Sequence, residues 1–203
     1  MCRTCSVEGC NNKHYAKGYC NKHYLQIKRH GKIFKSYRDD NDFIIYDDYA
    51  EIILRDRDTN EVARSKIDIE DIDEIKKYKW CYDAINGYVV NSKYHMRLNR
   101  YLMNCPDDLV VDHVNRDRLD NRKDNLRICT SHENRMNSGK NRNNTSGTTG
   151  ISWDKTYKKW EAYINYNYKK IILGYFDVIE DAIEARRQAE IDYFGEFAPT
   201  RED

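Results

Sequence analysis

The chain has 203 residues, 34% of them Asp, Glu, Lys or Arg and 39% in the hydrophobic set, with 17 Tyr against 5 Phe. So polar a composition excludes one large apolar core and favours several small modules, at least one of them held by something else. The formal net charge of +1 hides a segregation: nine Lys/Arg against Glu8 in residues 1–38, fourteen Asp/Glu against four Lys/Arg in 39–75, and eight Lys/Arg against Asp154 and Glu161 in 135–170.

Two basic ends around an acidic middle suit a polyanion gripped at both ends, while the acidic stretch itself reads as solvated surface. No apolar run approaches the length of a membrane span, and no signal-peptide pattern follows Met1. These features predict a soluble, cytoplasmic chain without a membrane partner. In a reducing compartment the seven Cys read as metal ligands or free thiols.

Residues 1–38 carry Cys5, Cys10, Cys20 and His23 in the order C-x4-C-x9-C-x2-H. Three thiolates and an imidazole suit tetrahedral zinc, and four protein ligands make the site structural. Almost no aliphatic residues lie between them, so the segment has little but a metal to fold around. Cys2 is an alternative ligand, and His14 or His30 could replace His23. A basic helix is predicted over Asn21–His30, stopped by Gly31, and presents Lys28 and Arg29.

From 39 to 108 the pattern predicts a strand at Ala50–Leu54, a turn at Asp58–Asn60 and a strand at Ser65–Asp71. A short helix follows from Asp71 to Tyr78, with Asp71 as its cap and Glu74 at the capping-box spacing. Trp80–Asp83 and Tyr88–Ser92 flank Asn86-Gly87, a two-residue hairpin signal. His95–Met103 reads as a basic helix that contains Arg100 and ends before Pro106. Cys81, Cys105 and Cys129 lack ligand spacing and read as small core residues or inert thiols.

The richest stretch runs from Leu109 to Asn137, LVVDHVNRDRLDNRKDNLRICTSHENRMN. A short apolar strand delivers Asp112 and His113 side by side. A polar loop and a second strand, Leu126–Cys129, lead through a Thr130–Glu133 capping box to a helix carrying Asn134. Carboxylate, imidazole and the amides of Asn125 and Asn134 are the means of setting a hard cation beside a general base. Arg116, Arg118, Arg122 and Arg127 add charge suited to phosphates.

Residues 140–148 read as a basic linker, with Arg142 in it. Strands at Gly150–Asp154, Lys159–Tyr166 and Lys169–Tyr175 precede a helix capped by Asp177 with Glu180 and ending at Phe194 before Gly195. Trp160, Ala162, Ile164, Ile171, Leu173, Ala182, Ile183, Ala185 and Ala189 form its expected core. Alternation puts Lys159, Glu161, Tyr163 and Asn165 on the opposite face, joined by Ser152, Lys170 and Ile172.

The Leu109–Asn137 stretch resembles the HNH homing endonucleases of phages and group I introns, whose site lies in a ββα-metal fold. His113, Asn125 and Asn134 match, with Asp112 beside the first. The resemblance implies that Asp112 and Asn134 ligate Mg2+ or Mn2+, that His113 is the general base, and that Asn125 orients His113 or the loop. That family reads hydrophobic-His-Arg in the preceding element; Leu98-Asn99-Arg100 puts Asn99 where the His would be. The Cys5–His23 stretch resembles small N-terminal zinc modules of phage-type HNH endonucleases.

Residues from Ser146 to Ala198 resemble the ethylene-response-factor (Apetala-2) type DNA-binding domain, which lays its sheet in the major groove. Lys155, Lys158 and Lys169 then look like phosphate contacts that position rather than specify. No arginine stands on the sheet face, so no target sequence carries over.

The expected fold class is α+β and multi-module: a zinc module (1–38), an HNH nuclease domain with a preceding small antiparallel sheet (39–139, ββα at 109–139), the linker (140–148) and a three-stranded sheet with one helix (149–203). The function expected is a site-targeted double-stranded DNA endonuclease, nicking as a monomer on an asymmetric site. The alternative is a non-cleaving DNA-binding regulator with a degenerate HNH unit.

Overall fold

A computed structural model describes residues 4–8, 10–34, 39–139, 144 and 146–199 of the chain. Arg142 and most of the expected basic linker lie outside them, as do Cys2 and the C-terminal residues 200–203.

The N-terminal module is built on two short antiparallel bridges, Thr4 with Lys13 and Ala16 with Tyr19, followed by helix α1, Asn21–His30. Gly31 ends α1 in the left-handed conformation (φ 70°), its N–H closing on Ile27 O, as the sequence predicts.

The central unit begins with strands β1 (Asp42–Ile45), β2 (Ala50–Arg55) and β3 (Glu61–Ile67), an antiparallel sheet with β2 in the middle. Strand β1 went unread because its DFII run is short and flanked by acids. A 3-10 turn and helix α2, Ile72–Ile75, follow. The Asp71 capping box does not form, because Asp71 already ends the 3-10 turn with helical backbone angles (φ −86°, ψ −6°); its carboxylate binds Lys123 Nζ at 2.7 Å instead.

Strands β4 (Cys81–Asp83) and β5 (Tyr88–Asn91) make the expected hairpin, but its loop holds four residues, 84–87. Asp83 Oδ1 accepts from the backbone N–H of Ile85 and Asn86, which opens the turn beyond the two-residue form. The helix expected over His95–Met103 is shorter. Met96 and Arg97 pair with β5 as strand β6, and only Leu98–Leu102 coil as α3.

One core joins these pieces: Ile52, Leu54, Ile67, Ile75, Trp80, Val89 and Leu98 are all buried within it. Trp80 is fully enclosed, and its indole N–H donates to Ile75 O at 2.9 Å, so its polar atom is satisfied. Strand β7 (Val110–His113), strand β8 (Leu126–Cys129) and helix α4 (Ser131–Met136) then form a ββα unit. The capping box at Thr130 and Glu133 is fully formed.

The acidic stretch is more than solvated surface. Asp68 accepts from the backbone N–H of Lys123 at 2.8 Å, and Glu70 and Asp71 both bind its ammonium, so three acids at the 3-10 turn after β3 hold the β7–β8 loop.

The C-terminal unit has strands β9 (Ile151–Asp154), β10 (Lys159–Tyr166) and β11 (Lys169–Phe176), antiparallel with β10 central, packed on helix α5, Ile179–Phe194. Ile151, Ala162, Ile164, Ala182 and Ala189 are its buried contacts. Asp177 does not cap α5, since it pairs with Lys159 at 3.1 Å. Arg186 is buried on the helix, tied to Glu190 and to Tyr163 O.

This unit is docked rather than simply tethered. Met136 of α4 packs into its core beside Ile164, Ala189 and Phe194, and the Arg127 guanidinium lies 4.4 Å over the Phe197 ring.

Candidate functional site

Strand β7 ends by placing Asp112 and His113 next to each other, both buried. Antiparallel pairing sets Asp112 opposite Arg127 and His113 opposite Leu126 on β8. Helix α4 then brings Asn134 to the same cavity, about 350 Å³, also lined by Tyr88, Arg116, Arg118, Arg135 and Asn137. Asp112, His113 and Asn134 therefore share one cavity, and Arg116 and Arg118 supply positive charge at its wall. Above the Tyr88 ring lie Arg97 at 4.4 Å and Arg118 at 4.7 Å.

The Asp112 carboxylate is held from two sides. Arg127 donates twice to Oδ2, at 2.6 and 2.9 Å, and Asn137 Nδ2 reaches both oxygens at 3.0 and 3.1 Å. Arg127 is therefore a partner of Asp112 rather than a free phosphate contact. Asn137 also donates to the carbonyls of His113 and Val114, pinning the end of α4 to the end of β7. Its own Oδ1 is buried without a hydrogen-bond partner. Oxygen donors from Asp112 and Asn134 on one cavity are of the kind that a hard divalent cation takes.

Burial lowers the pKa of His113 below the usual imidazole value, outweighing the Asn121 hydrogen bond and the nearby carboxylates, which act the other way. The ring is therefore held neutral at physiological pH, the form that accepts a proton.

Asn125 does not touch His113. Its Oδ1 accepts from Asn115 N at 2.9 Å and its Nδ2 donates to Asp120 O at 2.8 Å, so it braces the loop. Arg122 is bidentate to Asp120 at 2.7 and 2.8 Å, outside the cavity. Arg100 donates to the carbonyls of Leu109 and Pro106 and so clamps the turn before β7. Asn99 is buried and turned to the β7 backbone at Val111 O, outside the cavity wall.

Asn121, Asn137 and Ser65 were missed by sequence reasoning. The first two lie inside the motif as unremarked amides, and Ser65 is 48 residues from His113 along the chain, so only the fold unites them.

At the N-terminus the ligand atoms of Cys5, Cys10, Cys20 and His23 all lie within 4.8 Å of one another. Individual separations are 3.2 Å (Cys5 to His23), 3.5 Å (Cys20 to His23) and 3.9 Å (Cys10 to Cys20). A tetrahedron of about 2.3 Å zinc–sulfur bonds has edges of about 3.8 Å, so the set fits. Burial opposes ionisation of Cys5, but hydrogen bonds from His23 and from the Val7 and Cys20 backbone bring its thiol down to about 6. His14 instead accepts from Gly18 N, and His30 sits edge-on to Phe34, so neither replaces His23.

On the outer face of the C-terminal sheet Ser152 and Asn165 are exposed, as are Lys155 and Lys158 on the β9–β10 turn and Lys169 at the start of β11. Lys28 and Arg29 are exposed at the end of α1. Tyr163 is half-buried under Lys170, which binds Glu161, and Lys159 is engaged by Asp177. Glu161 is thereby buried on a face expected to be open.

A paired acid and histidine at the end of a strand, facing a helix across a cavity, define a ββα arrangement. Comparison with known proteins places that arrangement: residues 104–136 match the HNH endonuclease family. An uncharacterized HNH endonuclease of Acanthamoeba polyphaga mimivirus is 31% identical over 125 residues, covering 58% of this chain and 64% of that protein. Protein 3.8 of Escherichia phage T7 is 31% identical over 75 residues, covering 37% of this chain and 62% of that protein. The chain thus spans less than two thirds of the length of either relative. No solved structure gives a significant match. Among the described residues, no helix is long and apolar enough to cross a membrane.

Proposed function

We propose that this protein is a site-targeted DNA endonuclease of the HNH homing type, hydrolysing phosphodiester bonds in double-stranded DNA. The observation that carries the reading is the convergence of Asp112, His113 and Asn134 on one arginine-walled cavity, inside the segment that matches the HNH endonuclease family.

In this reading Asp112 and Asn134 hold a hard divalent cation, Mg2+ or Mn2+, which when bound supplies positive charge for the scissile phosphate and its leaving oxygen. Neutral His113 takes the proton from the attacking water. Arg116 and Arg118 bind phosphate oxygens at the cavity wall, and Arg127 with Asn137 keeps the Asp112 carboxylate aimed. Asn125 holds the loop that carries both arginines.

Zinc at Cys5, Cys10, Cys20 and His23 gives the N-terminal module its fold, so that Lys28 and Arg29 reach the DNA backbone. The C-terminal sheet is the second reader, of the Apetala-2 type, with Ser152, Tyr163 and Asn165 toward bases and Lys155, Lys158 and Lys169 toward phosphates. Two different readers around one catalytic unit suit a monomer on an asymmetric site, cutting one strand at a time. Asn99 does not favour the non-cleaving alternative, because its side chain serves the β7 backbone and not the cavity.

The test is to incubate the purified protein with double-stranded phage or host DNA and magnesium and to map the ends. Discrete 5′ and 3′ ends at a long site support the proposal; magnesium-independent binding with no new ends supports the regulator.

A further inference from the structure

The ring of His113 is held from a sheet that precedes it by 46 residues. The β7–β8 loop runs beside β3: Lys66 N donates to Leu119 O at 2.8 Å, and Asn121 N donates to Lys66 O at 2.9 Å. That short parallel bridge sets Asn121 against Ser65, and both are enclosed, at 1% and 0% exposure.

The Asn121 amide has one orientation compatible with its neighbours. Its Nδ2 faces Ser65 Oγ at 2.8 Å and the Arg118 carbonyl at 3.3 Å. A carbonyl only accepts, and the Ser65 hydroxyl turns its own proton toward Lys66 O, so this side of the amide must be the NH2. The amide oxygen is left facing His113 Nε2 at 3.3 Å. An amide oxygen has no proton to give, so the ring supplies one at Nε2.

We propose that Asn121, itself fixed by Ser65, is the positioning residue that locks His113 in the Nε2–H form and leaves Nδ1 as its proton-accepting atom. The proposal deepens the nuclease reading above and rests on it for the meaning of that atom. Asn121 touches neither DNA nor metal in this account; it acts through the histidine. The pair Ser65–Asn121 also makes the catalytic ring dependent on the first sheet, so the ββα segment does not orient its base unaided.

The experiment uses the full chain with 15N-labelled histidine, free of DNA and magnesium and with the N-terminal zinc retained, read by long-range 1H–15N NMR at neutral to slightly alkaline pH. The His113 signals are assigned by their loss in His113→Ala. The expected result is an Nε2–H signature in the wild type and in Asn121→Asp, which keeps the acceptor oxygen. A mixed-tautomer signature is expected in Asn121→Ala and a partial shift in Ser65→Ala. On magnesium and target DNA, Asn121→Ala loses about 10- to 100-fold in kcat with KM unchanged, in the range for partners that orient a site ligand.

An Nδ1–H signature in the wild type overturns the proposal. So does an Asn121→Ala protein that keeps both the Nε2–H signature and wild-type kcat. Where Asn121→Ala fails to fold, the wild-type signature and Asn121→Asp decide: loss of the Nε2–H form in Asn121→Asp contradicts the acceptor role. The NMR arm requires no cleavage, so a protein that cuts no DNA sinks the nuclease reading and leaves the tautomer to be judged separately.

Discussion

Replacing Arg127 by Met is the sharpest structural probe of the site. The guanidinium and the Asp112 carboxylate are joined by two hydrogen bonds to one oxygen, and their side chains are 17% and 7% exposed. Removing one partner of a buried pair costs about 3–5 kcal/mol, because the other charge stays buried alone. Asp112 keeps the two contacts from Asn137, and Arg127 reaches partial solvent, so about 2–3 kcal/mol is expected here. For a chain of this size that lowers Tm by about 4–12 °C.

Arg127 also donates to Glu196 O and covers Phe197, so the single mutant mixes two losses. A double-mutant cycle with Asp112→Asn isolates the pair. Urea melts of wild type, both single mutants and the double mutant should give a coupling of about 2 kcal/mol, the double mutant recovering part of the Arg127→Met loss. A coupling below about 0.5 kcal/mol, the value of an exposed pair, would refute the reasoning.

Asn125→Ala leaves the Asn115 N–H and the Asp120 carbonyl without their partner. It should destabilise by about 2–4 kcal/mol and speed amide exchange across residues 115–125, read by hydrogen–deuterium exchange. Chelation of the N-terminal metal, or Cys20→Ser, should unfold residues 4–34 with little change in the central core, seen as protease sensitivity confined to that module. Asp120 is buried, which raises its pKa, but the Arg122 pair wins and holds it below the usual carboxylate value. Its contribution is therefore full above the unfolded value, about 3.9, and is lost as pH falls through the folded one. Melts from pH 6 to pH 2 should show this acid-side loss, and Asp120→Asn should flatten it.

Legibility in the sequence followed the range of the forces involved. Helix α1 with its Gly31 stop, the β7–β8 pair, the Thr130 capping box and the C-terminal sheet and helix were readable because each is set by local periodicity or a local cap. Asp71 looks like a helix cap but already ends a 3-10 turn. The other readings that failed were those where a distant group claims a local one. Asp177 looks like a helix cap but is taken by Lys159, and Met96–Arg97 joins a strand because β5 offers an edge.

The same division holds at the site. Asp112, His113, Asn125 and Asn134 stand out by type and spacing, whereas what holds them does not. Arg127 looked like a phosphate ligand until β8 set it opposite Asp112. Asn121 and Ser65 gain meaning only once β3 lies beside the loop. Arg100 reads as a free charge in sequence and is a loop clamp in three dimensions.

The central claim is that His113 is the base of a metal-dependent phosphodiester hydrolysis. The most direct measurement is the nicking rate of supercoiled plasmid carrying the mapped site, under single-turnover conditions with saturating magnesium, for wild type and His113→Ala. Removing a general base should slow the reaction about 10²- to 10⁴-fold with DNA affinity retained. A His113→Ala protein that nicks at the wild-type rate would contradict the account.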